Sequence, residues 1–200
     1  MSERGSYAKG RAKRDEIVDV ALDLFARMGY DRTSFREIAR LAGLSQAGLL
    51  HHFRTKEALF LEVLRRRDDR NEQHYDENLG HPVSVAGLVK IVRHNSDEPG
   101  LVRLYVAMSA ESTAPESPTR QFFEQRYEKL LSDVALDVAK KQQSGEIAEG
   151  LDPAAVASLL VAAADGLQVQ WLLNPDRFDM GEQLGLLSKI LSGVSSEIRK

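Results

Sequence analysis

The run from Ser34 to Phe60, SFREIARLAGLSQAGLLHHFRTKEALF, leaves the chain little choice of fold. Ile38 and Ala39 give a first short helix an inward face. Gly43, in the turn Ala42-Gly43-Leu44, can adopt left-handed backbone without a side-chain penalty. Ser45 is a side-chain cap for a second short helix. Leu49 is spaced to pack back on Ile38, which turns Gln46, Ala47, Gly48, Leu50, His51 and His52 outward or sideways. Two short helices joined by a glycine turn form a helix-turn-helix, whose second helix enters the DNA major groove.

The same residues resemble the tetracycline-repressor (TetR) family of regulators. The pattern runs Thr33 or Ser34, then Ile38-Ala39, then Ala42-Gly43-Leu44-Ser45. A recognition helix ending in His52-Phe53 follows, and then Lys56-Glu57-Ala58-Leu59. The preceding Ala21, Leu24, Phe25 and Met28-Gly29-Tyr30 fit it as well. The match covers about the first third of the chain; beyond it the likeness is one of length and helical pattern. Two positions depart. A tyrosine usual in the middle of the recognition helix is Leu50 here, and a glycine near its start is Ala47. Leu50 exchanges a phosphate contact for an apolar one, such as a thymine methyl.

Charge is distributed to suit this reading. The 200 residues carry a net charge of −3. Yet residues 1–67 hold 14 Lys and Arg against 9 Asp and Glu, and the remainder holds 13 against 21. A basic module on an acidic body is what phosphate attraction at one end requires. There is no cysteine, so neither a disulfide framework nor a thiolate metal site is expected. The first residues lack an apolar signal region, and the longest apolar run, 159–164, is too short to span a bilayer. A cytoplasmic location with no membrane partner is the expectation.

Helical periodicity continues throughout. Ile17, Ala21, Leu24, Phe25 and Met28 share one face of a helix expected from about Ala12. Breaks fall at Gly80-His81-Pro82, Asp97-Glu98-Pro99-Gly100 and residues 113–118. Asp152-Pro153 opens a further helix as cap and first-turn proline. The expected fold is all-α, with about nine helices: an N-terminal helix-turn-helix domain over residues 1–55 and a helical domain over 56–200 for effector binding and dimerisation.

Candidate DNA-binding residues are Thr33, Ser34, Arg36, Ser45, Gln46, Ala47, Gly48, Leu50, His51, His52 and Lys56. Gln46 can bond bidentately to adenine. Gly48 and Ala47 are small enough for close approach to base edges. Arg36 and a hydroxyl from Thr33 or Ser34 suit phosphates, and the resemblance implies the same for Lys56. The basic run Lys9, Arg11, Lys13 and Arg14 reads either as an arm toward the minor groove or as a solubilising tail.

In the helical domain, Leu104, Tyr105, Met108, Phe122, Phe123, Tyr127 and Trp171 are candidates to line an effector pocket. Arg103, Asp165 and Gln168 are its possible polar anchors. The same aromatics also read as plain core, and Trp171 as interface packing. Dimerisation through the last two helices is implied by the resemblance, with Leu159, Ala163, Leu167, Leu184, Leu187, Leu191 and Val194 as contacts; the alternative is monomer core. No catalytic motif is present, and His51-His52 point about 100° apart on a helix, which disfavours one shared metal. The expected function is a sequence-specific, dimeric regulator, a repressor released from a palindromic operator by an unknown small molecule, needing no cofactor. An architectural DNA binder and a small helical enzyme or carrier remain the alternatives.

Overall fold

The computed structural model describes residues 3–28, 32–75 and 82–198, with side chains at 10–28, 32–70 and 82–193. Gly29, Tyr30, the Gly80-His81 break and the side chains of Lys9 and Val194 lie outside the described residues. Among the described residues every regular element is a helix. They are α1 (Glu3–Met28), α2 (Phe35–Leu41), α3 (Gln46–His52), α4 (Lys56–Tyr75), α5 (Val85–Asn95), α6 (Pro99–Glu111), α7 (Arg120–Gln143), α8 (Pro153–Leu173) and α9 (Met180–Ile198), with a 3₁₀ turn at Pro175–Arg177.

Helix boundaries follow local side-chain chemistry. Ser34, Ser45, Thr55 and Ser84 each accept a hydrogen bond from the backbone N–H three residues on, at 3.0–3.1 Å. Asp152 caps α8 through Ala154 N at 3.2 Å, and Asp179 caps α9 through Glu182 N at 2.7 Å. Each such cap contributes about 1 kcal/mol. The turn of the helix-turn-helix is a left-handed glycine stop. Gly43 has φ +67. Its N–H bonds Arg40 O at 3.2 Å, and Leu44 N–H bonds Ala39 O at 2.8 Å. These two bonds satisfy the terminal carbonyls of α2.

The chain forms two compact units, Met1–Arg70 with Glu98–Met108, and Asn71–Asp97 with Ser109–Lys200. The sequence-based division at residue 55/56 differs from this. Helix α4 stays with α1 because Leu59, Phe60, Val63 and Leu64 are buried and the Phe60 ring meets Phe25 edge-on at 5.0 Å. An ionic seam reinforces the pair: Arg66 bonds Asp15 at 2.7 Å and Asp19 at 3.1 Å, and Arg70 bonds Asp19 at 3.2 Å. Arg67 is buried beside the Tyr105 ring, 5.5 Å from its centroid. Helix α6 begins at Pro99 instead of after the expected break, and Gly100 lies against the α1 backbone at Phe25.

In the second unit α8 packs on α7 and α9, and α5 on α9. Leu160, Val161, Ala164, Met180 and Leu184 are buried there. By length and composition α8 could cross a membrane, because apolar residues surround it on all sides even though no unbroken run is long. Its inner face instead fills the core of this unit.

Candidate nucleic-acid interface

Helix α3 has one buried side chain, Leu49, which is fully enclosed. Everything else on these two turns is available. Gln46, Ala47, Leu50 and His51 are exposed, and Gly48 and His52 are half-buried. Leu50 is 43% exposed, a large apolar side chain facing water. Ser45 is occupied as the α3 cap, with its oxygen accepting from Gly48 N at 3.0 Å, and its hydroxyl proton remains free to donate. Ser34 does the same for α2, accepting from Glu37 N at 3.1 Å. The structure thus gives both serines a local structural role beside any contact to phosphate.

Arg36 and Lys56 are exposed, the latter as the first residue of α4, and Thr33 is half-buried. Arg32 and Arg54, which no sequence pattern singles out, are exposed cations in the same segments. Arg40 is not equivalent to them. It donates to Glu37 at 2.7 and 3.2 Å. Those bonds hold the Glu37 carboxyl below the ordinary carboxylate range and raise the Arg40 guanidinium above its own. The His51 and His52 rings stand edge-on with centroids 5.7 Å apart. Among the described residues no group of three His, Cys, Asp or Glu is placed to hold a metal ion.

The basic run is not a free arm at Lys13 and Arg14. Both lie within α1, which starts at Glu3 instead of near Ala12. Lys13 Nζ donates to Ala42 O at 2.6 Å and Arg14 donates to His52 O at 2.9 Å. The polar, glycine-containing start of α1 carries no apolar periodicity by which sequence could extend the helix.

Residues 17–63 match the family described as bacterial regulatory proteins, tetR family. Residues 86–194, more than half of the chain, match the domain described as BetI-type transcriptional repressor, C-terminal. The chain belongs to the TetR family. It is a DNA-binding transcriptional repressor of the kind controlled by small-molecule effectors. The fatty acid metabolism regulator protein of Bacillus subtilis (strain 168) is 22% identical over 190 residues, covering 94% of this chain and 98% of that one. A Rhodococcus sp. protein assigned to the TetR family superimposes with TM-score 0.70 at 20% identity, covering 90% of this chain and 99% of that one. A Saccharomonospora viridis protein in complex with choline superimposes with TM-score 0.65 at 28% identity, covering 86% and 93%.

The expected effector residues of this TetR protein divide between the two units. Leu104, Tyr105 and Met108 are buried in the first, where Arg103 is exposed. Phe122, Phe123, Tyr127, Gln168 and Trp171 belong to the second. There Tyr127 Oη donates to Asp165 Oδ2 at 2.6 Å, and the Phe123 and Tyr127 rings are 6.4 Å apart. Gln168 is 4% exposed; its Nε2 makes long bonds of 3.4 Å to Ala164 O and Asp165 Oδ1, and its Oε1 is buried with no hydrogen-bond partner. A surface cleft of about 310 Å³ at α8, α9 and the 3₁₀ turn that joins them is lined by Leu167, Gln170, Arg177, Phe178 and Gln183, none of them among the expected pocket residues.

The expected dimer residues are likewise rearranged. Leu159 is 65% exposed, but Leu184 is fully enclosed in the core of its own unit. Ala163, Leu167, Leu187 and Leu191 are half-buried. Among the described side chains of α9, the large apolar ones that face outward are Leu186 and Ile190, at 52% and 53% exposure. On α8 they are Leu159, Val169 and Leu173, with the small residues Ala162 and Gly166 between them.

Proposed function

We propose that the exposed face of α3 reads operator bases, that Arg36 and Lys56 hold flanking phosphates, and that two copies bind a palindromic operator as a dimer. The observation that carries base reading is the single buried anchor on α3. A helix whose one buried side chain is Leu49 presents Gln46, Ala47, Leu50 and His51 together to a groove. Thr33, Ser34 and Ser45 lie at helix starts, where a hydroxyl can add a phosphate bond. A repressor of this kind acts where the chromosome is, in the bacterial cytoplasm.

Two copies meet through the outward faces of α8 and α9. A helix that is apolar all round is normally buried all round, and the α8 stripe of 159, 162, 166, 169 and 173 alternates three and four residues like a helix-pairing seam. Effector binding then weakens the operator complex. The acceptors Asp165 and Gln168, beside aromatic rings, favour an effector that donates hydrogen bonds or carries positive charge. The S. viridis protein and its choline support the same class.

Selection of genomic fragments with purified protein, followed by footprinting, tests this reading. The expected product is one protected palindrome with half-sites about one helical turn apart. Protection without a shared sequence would favour an architectural binder. With the selected duplex in hand, Gln46→Ala should flatten base preference at one position per half-site, lowering discrimination there by about 1–3 kcal/mol. Lys56→Ala should instead weaken selected and scrambled duplexes alike and reduce the slope of log affinity against log salt by about one unit. An unchanged slope would remove Lys56 from the phosphate contacts.

A further inference from the structure

We propose that Arg14 is a positioning residue for base reading: it pins the C-terminal end of the recognition helix to α1 and α4. Its guanidinium lies 4.0 Å from the centroid of the Phe53 ring, NH1 donates to His52 O at 2.9 Å, and NH2 sits 3.7 Å from Glu62 Oε2 on α4. One side chain therefore joins α1, the last residue of α3, the residue that caps it, and α4.

The need for such a pin follows from the length of α3. Seven residues make two turns, too short to hold a helix in water by themselves. The N-terminal end is fixed by Ser45, and the middle by Leu49. The C-terminal end carries exposed His51 and half-buried His52 and has the negative end of the helix dipole, where a cation is favourable. His52 O has no partner further along α3, and Arg14 supplies one. The neighbouring Lys13 does the same for α2 by donating to Ala42 O at 2.6 Å, while also pairing with Glu16 at 2.9 Å. Two consecutive cations of α1 thus hold the C-terminal carbonyl ends of both helices of the helix-turn-helix. Base recognition tolerates displacement of only about half an ångström, so loosening this end should cost selectivity before it costs general affinity.

This inference rests on the reading of α3 as the base-contacting helix, and the two separate experimentally. The selected operator duplex and a scrambled duplex of equal length are titrated by fluorescence anisotropy across a salt series. Loss of base preference in Gln46→Ala on these duplexes tests the reading of α3. Amide hydrogen exchange at His51, His52 and Phe53, whose N–H bonds Leu49 O at 2.9 Å, tests the pin in the free protein without DNA.

Arg14→Ala should speed that exchange and raise the operator Kd about tenfold. The scrambled Kd should stay within about threefold, and the salt slope within half a unit of wild type. Arg14→Lys, which can still reach His52 O but cannot lie flat on Phe53, should recover part of the selectivity at an unchanged slope; it carries the test if the alanine variant fails to fold. Equal losses on both duplexes with a slope lower by about one unit would make Arg14 a phosphate contact and overturn the proposal. Unchanged exchange or unchanged selectivity in a folded variant would overturn it equally.

Discussion

Leu159→Asp and Ile190→Asp, each alone, should leave the chain helical but convert it to a species of half the wild-type mass, and operator affinity should fall by two to four orders of magnitude. Both positions are more than half exposed, at 65% and 53%, so a carboxylate there costs the isolated chain little. In a dimer packed through α8 and α9 the same carboxylate would be buried without a partner, a strongly destabilising arrangement. The affinity loss follows from linkage of two half-sites. Once one α3 is bound, its tethered copy sees the second half-site at a high effective concentration, an advantage of roughly 10²–10⁴ that a monomer forfeits. Sedimentation in the absence of DNA and anisotropy with the selected duplex measure the two effects independently. A variant that stays dimeric would move the interface away from these residues. One that becomes monomeric yet keeps wild-type affinity would overturn the two-half-site reading.

Those residues also show where sequence loses its grip. Helix α9 is apolar on two sides: Leu184, Leu187 and Leu191 form one stripe, and Leu186 and Ile190 another. The first stripe stands out by its regular spacing, but periodicity cannot say which side meets the chain's own core. Packing decides that, and it encloses Leu184 while leaving Leu186 and Ile190 in water. The helix-turn-helix was legible because its signals are local and chemically specific. Ser34 and Ser45 cap, Gly43 turns, and Ile38 and Leu49 face inward, all within a short window. Arg14 was not legible in the same way. Its partner His52 O is 38 residues away, and in sequence it is one of a run of cations beside a DNA-binding motif. That context points to phosphate, whereas the fold aims it at a carbonyl. The grouping of the expected effector residues was not legible for a related reason: aromatic composition does not reveal which compact unit a helix joins, and α6 joins the first through Met108 while α7 and α8 join the second.

The start of α6 supplies the largest expected effect on stability. Pro99-Gly100 reads in sequence as a break, but the glycine is there for space. A Cβ on Gly100 would run into the Phe25 carbonyl, 2.8 Å from its carbon, and would come within 3.0 Å of Ala26 O. These are main-chain atoms of α1, so no side-chain rotation relieves the clash; α6 must move off α1, or α1 must bend. Moving α6 would disturb Leu101, Val102 and Leu104, each almost fully buried. Gly100→Ala should therefore cost at least about 3 kcal/mol, which for a chain of this size lowers Tm by roughly 6–12 °C. The loss should include operator binding, since α1 also carries Lys13 and Arg14. Gly10→Ala is the matched control. That glycine lies within α1, and an added methyl there would meet nothing within 4 Å, so the same exchange should raise stability by up to about 1 kcal/mol through helix propensity. Thermal and urea melts of the pair should move in opposite directions. A Gly100→Ala protein that melts with the wild type would show that α1 and α6 are not in backbone contact at this point.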